Sequence, residues 1–353
     1  MFIRHLTHAT SRQGCENVVL SLAPEGASSE EGPDYRLVHA KEDFNLASTG
    51  VSLSSFKVFA ELGKSADIIH YHFPWPFMDI VHFAARLKKP TIVTYHSDIV
   101  RQKVLKFLYA PLQNAFLNSV DAIVATSPNY LKSSPVLARY PSKTDAIPIG
   151  LEESMYLPIQ PERVAELILQ RGRFFLFVGV LRYYKGLEFL LHAVEGKDWP
   201  LLIVGAGPLE QQLMRMASER KLHNVHFIGQ VSEQEKVNLL AACYAVVFPS
   251  HLRSEAFGIS LLEAAMFGKP MVCSEIGTGT SYINQHQISG LVVPPKDSLA
   301  MRAAMTQLWE SPELAERFGL AARGRYLELF TSQKMGEEYI KKYSEILKST
   351  EHN

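Results

Sequence analysis

Short apolar runs punctuate the chain from end to end. They cover residues 67–72, 90–96 and 122–127 in the first half and 174–179, 201–205, 225–229, 245–249 and 270–274 in the second. The runs are short for helices and rich in β-branched residues. Stretches of helical length and mixed polarity lie between them. This alternation predicts buried parallel strands joined by crossover helices. The chain is therefore read as α/β, with two Rossmann-like domains. Several runs end in Gly, Ser, Thr or His, and open parallel sheets bind ligands at the carboxyl ends of their strands. Functional residues are accordingly sought just after the runs.

The series breaks at Ile147-Pro148-Ile149-Gly150, and a loose segment containing Pro158 and Pro161 precedes its restart at Phe174. The expected domains are residues 1–150 and 151–331. The helical stretch over 332–353 fits either one and can pack back on the first. A length of 353 residues suits two cores better than one.

Composition narrows the class. Hydrophobic residues at 47% and charged residues at 20% describe a globular chain and exclude a disordered one. Lys plus Arg and Asp plus Glu both number 36, so no basic excess points to nucleic acid. Cys15, Cys243 and Cys273 fit neither a disulfide framework nor a metal spacing. The start, Met1 to His5, lacks the basic-then-apolar order of a signal peptide. No apolar run approaches the roughly 20 residues of a membrane span. A cytoplasmic location is expected. Val100 to Tyr109 is basic and amphipathic. It suits either a plain surface helix or a peripheral contact with the cytoplasmic face of the inner membrane.

The most informative segment runs from Ser254 to Ala265, after the strand ending Phe248-Pro249-Ser250. A helix is expected to start near Gly258. Glycine there lets a ligand approach the backbone, and the amides of Phe257, Gly258 and Ile259 would face an anion at the helix terminus. Glu255 precedes that terminus and Glu263 lies inside the helix. Each carboxylate suits vicinal hydroxyls of a sugar or ribose, or else is an ordinary cap-region or helix-surface acid. Arg182 and Lys185 follow the first strand of the second domain on a strand-to-helix turn. A planar fork and a point charge at that spacing suit a diphosphate, though such a pair also occurs on solvated loops. Gly205-Ala206-Gly207 is not a dinucleotide fingerprint, because Glu210 stands where a third small residue is needed. His70 and His72 share a strand face with no evident third metal ligand, so an acceptor groove with Trp75 and Phe77 as stacking faces is the preferred reading.

Together these segments resemble glycosyltransferase family 4, the retaining nucleotide-sugar transferases of GT-B fold. Glu255 and Glu263 match the family's E-x7-E, Arg182 and Lys185 its phosphate-binding pair, Gly205 to Leu209 its glycine-ended strand turn, and Pro148-Ile149-Gly150 its hinge. The resemblance implies two Rossmann-like domains with parallel sheets facing across a cleft. It places the donor on the second domain, at Arg182, Lys185, Glu255, Phe257, Gly258, Ile259 and Glu263, with Gly14 of the first domain touching the donor phosphate. Gln13-Gly14-Cys15-Glu16 stands for the family's N-terminal glycine loop, with Gln13, His72 and Trp75 on the acceptor side. His96, at a strand end in Tyr95-His96-Ser97-Asp98, matches a position facing the donor sugar. His96, Glu255, Arg182 and Lys185 are the expected catalytic set. The chain contains no Asp-x-Asp, and neither metal nor cofactor is expected.

Glu275 to Asn284 and Tyr95 to Val100 resemble bacterial mannosyl- and rhamnosyltransferases of O-antigen and exopolysaccharide assembly. That likeness implies transfer of mannose from GDP-mannose to a lipid-linked or polysaccharide acceptor. Transfer of glucose, galactose or N-acetylglucosamine from a UDP-sugar is the alternative, followed by a nucleotide-sugar epimerase of the same fold. A non-enzymatic sugar binder would need neither the phosphate pair nor E-x7-E.

Overall fold

The structure is a computed structural model that describes residues 1–46, 49–99 and 103–351. It divides into two compact units, Met1–Gly150 with Ser332–Asn353, and Leu151–Thr331.

The first unit runs α1 (Phe2–Ser11), β1 (Val18–Ala23), β2 (Ser28–Glu31), β3 (Arg36–Lys41), β4 (Phe44–Leu46), β5 (Thr49–Val51), α2 (Ser54–Ser65), β6 (Ile69–Phe73), α3 (Pro76–Ala85), β7 (Thr91–Tyr95), α4 (Lys103–Ser119), β8 (Ala122–Ala125), α5 (Pro128–Ser133) and β9 (Thr144–Ala146). Strands β6-β7-β8-β9 form a parallel sheet in sequence order. A separate sheet, β1-β3-β2, pairs β1 with β3 in parallel and β2 with β3 antiparallel, and β4 and β5 form a hairpin. The apolar runs foretell β6, β7 and β8. The shorter or more polar strands β2, β4, β5 and β9 carry no such signal.

The second unit runs α6 (Pro161–Arg171), β10 (Phe175–Val178), α7 (Leu187–Ala193), β11 (Leu201–Val204), α8 (Glu210–Glu219), β12 (Val225–Gly229), α9 (Glu233–Ala242), β13 (Ala245–Phe248), α10 (Ile259–Met266), β14 (Met271–Ser274), α11 (Gly279–Ile283), β15 (Gly290–Val293), α12 (Ser298–Glu310) and α13 (Pro312–Leu329). Its six strands lie in the order β12-β11-β10-β13-β14-β15, and every neighbouring pair is parallel. Strands β10, β11, β13 and β14 are buried along their whole length. Phe175, Phe177, Leu201, Ile203 and Val247 form the core with Trp199. The chain moves outward from β10 to β12, then returns to β13 and continues the other way. The order thus reverses between β10 and β13. In such sheets the crevice beyond the carboxyl ends at this point is the usual ligand site.

The last helix, α14 (Ser332–Glu351), joins the first unit. Its Met335, Tyr339 and Ile346 share a core with Leu6, Ile92, Val124 and Ile147. Lys342 fastens it further, to Asp145 at 2.6 Å. Of the amphipathic stretch 100–109, residues 100–102 and the side chains of 103–106 lie outside the described residues. Phe107 and Leu108 are exposed on α4. No helix among the described residues is long and apolar enough to cross a membrane.

Candidate active site

Two loops meet beyond the switch point, one after β10 and one after β13. The first, residues 179–186, is seated on the glycine pair after β11. An added Cβ on Gly205 would stand 2.1 Å from the Gly179 carbonyl oxygen, and one on Gly207 would stand 2.6 Å from both N and O of Leu181. This close approach lets the Leu181 amide donate to the Ala206 carbonyl at 3.0 Å and the Leu209 amide to the Leu181 carbonyl at 3.1 Å. The glycines after β11 therefore serve here as a backbone support under the cationic turn.

Arg182 begins a short 3-10 turn, Tyr183–Lys185, which ends at Gly186 in the left-handed region. Gly186 lies against the second loop, where an added Cβ would stand 2.1 Å from the Pro249 carbonyl oxygen. The His251 amide donates to the Tyr184 carbonyl at 2.9 Å and ties the loops together. The Arg182 side chain is exposed, whereas Lys185 is buried.

Lys185 Nζ meets Glu255 Oε2 at 2.5 Å, and Ser250 Oγ donates to the same oxygen at 3.1 Å. The ammonium also lies 4.6 Å from the centre of the Phe248 ring, within cation–π range. The two charges, with side chains only 10% and 12% exposed, compensate one another across 70 positions of sequence. Glu255 leads directly into Gly258, the N-cap of α10, whose φ is +98°. The amides of Phe257, Gly258 and Ile259 have no acceptor among the described residues. The unsatisfied end of a helix and a cationic turn are thus presented from neighbouring loops of one sheet. Such an arrangement suits an anion.

Glu263 lies one turn further along α10 and is 2% exposed. It is held apart from Glu255 by its own partners, Lys236 of α9 at 3.0 Å and the Tyr156 hydroxyl at 3.1 Å. No local motif marks these two. Lys236 stands in the polar run Glu233-Gln234-Glu235-Lys236, which reads as a solvated helix start.

The first unit corrects several expectations. Gln13 and Gly14 do not form a loop that offers amides to a phosphate. They form the turn that ends α1, with the Gln13 and Gly14 amides bonded to Thr10 and Ser11 carbonyls at 3.0 Å each. Cys15 closes the turn by donating to Thr10 at 3.1 Å, and Gly14 takes φ +88°. A helix C-terminus carries partial negative charge and disfavours an anion. The Gln13 side chain folds back to donate to the Ala9 carbonyl at 3.1 Å. Phe77 is buried against Phe56 and offers no stacking face. Trp75 remains half-buried, with its indole N–H donating to the Gly50 carbonyl at 2.9 Å.

His70, His72 and His96 form a ladder of rings at the ends of β6 and β7. His70 stacks on His72 with centroids 4.6 Å apart, and His72 on His96 at 5.4 Å. Both nitrogens of His70 are engaged, by Tyr343 of α14 at 2.8 Å and Thr94 at 2.7 Å. His72 Nδ1 meets His96 Nε2 at 3.1 Å, so one ring donates and the other accepts. Burial pushes the His70 imidazole down to about 3 and His96 down to about 4, and His72 falls well below the usual range through burial and its imidazole neighbours. At neutral pH, His96 is therefore an uncharged hydrogen-bonding group.

Comparison with known proteins gives this geometry its context. Residues 159–325 match the family described as Glycosyl transferases group 1, and residues 1–153 match Glycosyltransferase Family 4. The chain is 54% identical over 332 residues to D-rhamnosyltransferase WbpZ of Pseudomonas aeruginosa, which spans 94% of this chain and 87% of that protein. It is 48% identical over 352 residues to O-antigen chain mannosyltransferase C of Escherichia coli, spanning 98% and 94% respectively. Among solved structures, sucrose-phosphate synthase of Thermosynechococcus elongatus superposes with a TM-score of 0.80 at 22% identity, covering 99% of this chain and 93% of that one. A glycosyltransferase from Rickettsia africae gives 0.76 at 19% identity, covering 98% and 94%. The structural likeness establishes the fold as GT-B. With two relatives near half-identical over almost the whole length, the chain belongs to glycosyltransferase family 4 and is a sugar-transferring enzyme.

Proposed function

We propose that this enzyme moves a hexose, mannose from GDP-mannose or another GDP-linked hexose, onto a lipid-linked or polysaccharide acceptor in bacterial cell-surface glycan synthesis. The carrying observation is the Lys185–Glu255 pair beside the open N-terminus of α10 at the switch point. The relatives supply the sugar class, one being a D-rhamnosyltransferase and the other an O-antigen mannosyltransferase. The epimerase alternative draws no support from either. UDP-sugar donors stay the second reading, because a structural neighbour, Anabaena HepE, is solved with UDP and glucose.

In this reading the second unit holds the donor. Arg182, Lys185 and the α10 amides neutralise charge growing on the leaving diphosphate as preorganised donors, with no metal required. Glu255 accepts hydrogen bonds from sugar hydroxyls and Glu263 from the ribose. The first unit takes the acceptor, with His96 as a neutral hydrogen-bonding group. The acceptor hydroxyl attacks the anomeric carbon as its bond to the diphosphate breaks. The proton passes to the departing phosphate oxygen, and the new bond forms on the face the diphosphate leaves.

Calorimetric titration of the full chain with GDP, UDP, GDP-mannose and UDP-glucose, with and without EDTA, tests the donor assignment. GDP-selective binding that EDTA leaves unchanged is expected. UDP-selective binding would overturn the donor and keep the site. A chelator-sensitive affinity would overturn the metal-free reading.

A further inference from the structure

We propose that Lys236 and Tyr156 are positioning residues that hold the Glu263 carboxylate for the ribose diol of the donor nucleotide. The inference rests on the ribose role given to Glu263 above.

Three separate parts of the second unit converge on this carboxylate. Glu263 comes from α10, Lys236 from the first turn of α9, and Tyr156 from the segment before α6. Lys236 Nζ lies 3.0 Å and the Tyr156 hydroxyl 3.1 Å from the same oxygen, Oε1. Lys236 is fixed in turn by Glu233 at 2.6 Å, with its side chain only 11% exposed. Oε2 receives no donor from the described residues, yet it is not among the buried side-chain atoms that lack a partner. The residue as a whole is 2% exposed. A clamp that only tied the helices together would engage both oxygens. Two donors crowded on one oxygen, with the other left open, aim the carboxylate outward.

The charge matters as much as the aim. A carboxylate can accept from both hydroxyls of a diol, whereas a carboxylic acid turns one oxygen into a donor. Burial pushes the Glu263 carboxyl up, Glu233 adds to this, and Lys236 and the Tyr156 hydroxyl pull it back. Lys236 thus opposes the protonation that burial favours.

The test takes whichever of GDP and UDP binds the full wild-type chain more tightly, together with its 2′,3′-dideoxy analogue. The readout is the ratio of the two dissociation constants, which general loosening of the fold would not change. Wild type should favour the ribose form about tenfold or more, the scale of one charge-assisted hydrogen bond. Lys236→Met should bring the ratio close to one, and Lys236→Arg should restore part of it. Should Lys236→Met fail to fold, Tyr156→Phe, which removes one hydroxyl, carries the test with a fall of about threefold. An unchanged ratio in the folded variants would overturn the inference. A wild-type ratio near one would overturn it together with the ribose role, while leaving the diphosphate site standing. A wild-type chain that binds neither diphosphate would overturn the proposed function itself.

Discussion

Lys185→Met is expected to lower turnover by at least about 10²-fold, the scale for removing one preorganised transition-state donor. It should also lower stability by about 3 kcal/mol, because truncating one partner of a buried pair leaves the other charge uncompensated. The geometry separates these effects. Among the described residues, Ser250 is left to meet Glu255 once the ammonium is gone, and the Glu255 side chain is 12% exposed. Adding Glu255→Gln to Lys185→Met removes the stranded charge, so the double variant should recover most of the stability. Its turnover should stay as low as that of the single variant. Urea unfolding and donor turnover, measured on the single and double variants, check both halves. Recovery of turnover along with stability would show that the pair is structural and not part of the reaction site.

Gly186→Ala carries the second large expectation. The residue sits at φ +68°, and its new Cβ would stand 2.1 Å from the Pro249 carbonyl oxygen. Left-handed backbone costs a non-glycine residue about 1–2 kcal/mol, and overpacking against an immobile neighbour adds about 1–3 kcal/mol. A loss of about 3 kcal/mol follows from these two contributions. Gly196 provides the comparison, with φ +72° and nothing within 4 Å of an added Cβ. Gly196→Ala should cost only the backbone share, about 1 kcal/mol. Because Gly186 adjoins Lys185 and joins the two site loops, its substitution should also impair donor binding, whereas that at Gly196 should not. Equal destabilisation by the two substitutions, measured by denaturant unfolding, would remove the steric argument.

Much of the second unit is legible in the sequence because its strands are buried on both faces. Phe175 to Val178 and Ala245 to Phe248 need apolar residues throughout, and such runs stand out from amphipathic helices. The loops after those strands could be marked in advance, since strand order in a doubly wound sheet determines where ligands bind. Spatial pairing was not legible. Nothing local joins Lys185 to Glu255, or Lys236 to Glu263, because each pair forms only when the sheet brings distant loops and helices together.

The turn at Gln13 and Gly14 has a local signature in the sequence. Phe2 to Ser11 places apolar residues at helical spacing, and Gly14 follows the last of them. A glycine just beyond a helix is a termination signal. Weighed against the family's glycine loop, that signal identifies Gln13 and Gly14 as the end of α1. His72 and Phe77 illustrate a different limit. Strand alternation shows which face a side chain takes, but not whether a neighbouring ring or helix already occupies it. His96 beside His72 and Phe56 against Phe77 supply that missing information.

Product stereochemistry tests the central claim most directly. The full chain is incubated with GDP-mannose and a lipid-linked saccharide extract from bacterial membranes, and the new anomeric centre is read by NMR. The account predicts a glycosidic product formed only when acceptor is present, with the anomeric configuration of the donor retained. An inverted product, or a sugar released or isomerised equally well without acceptor, would contradict it.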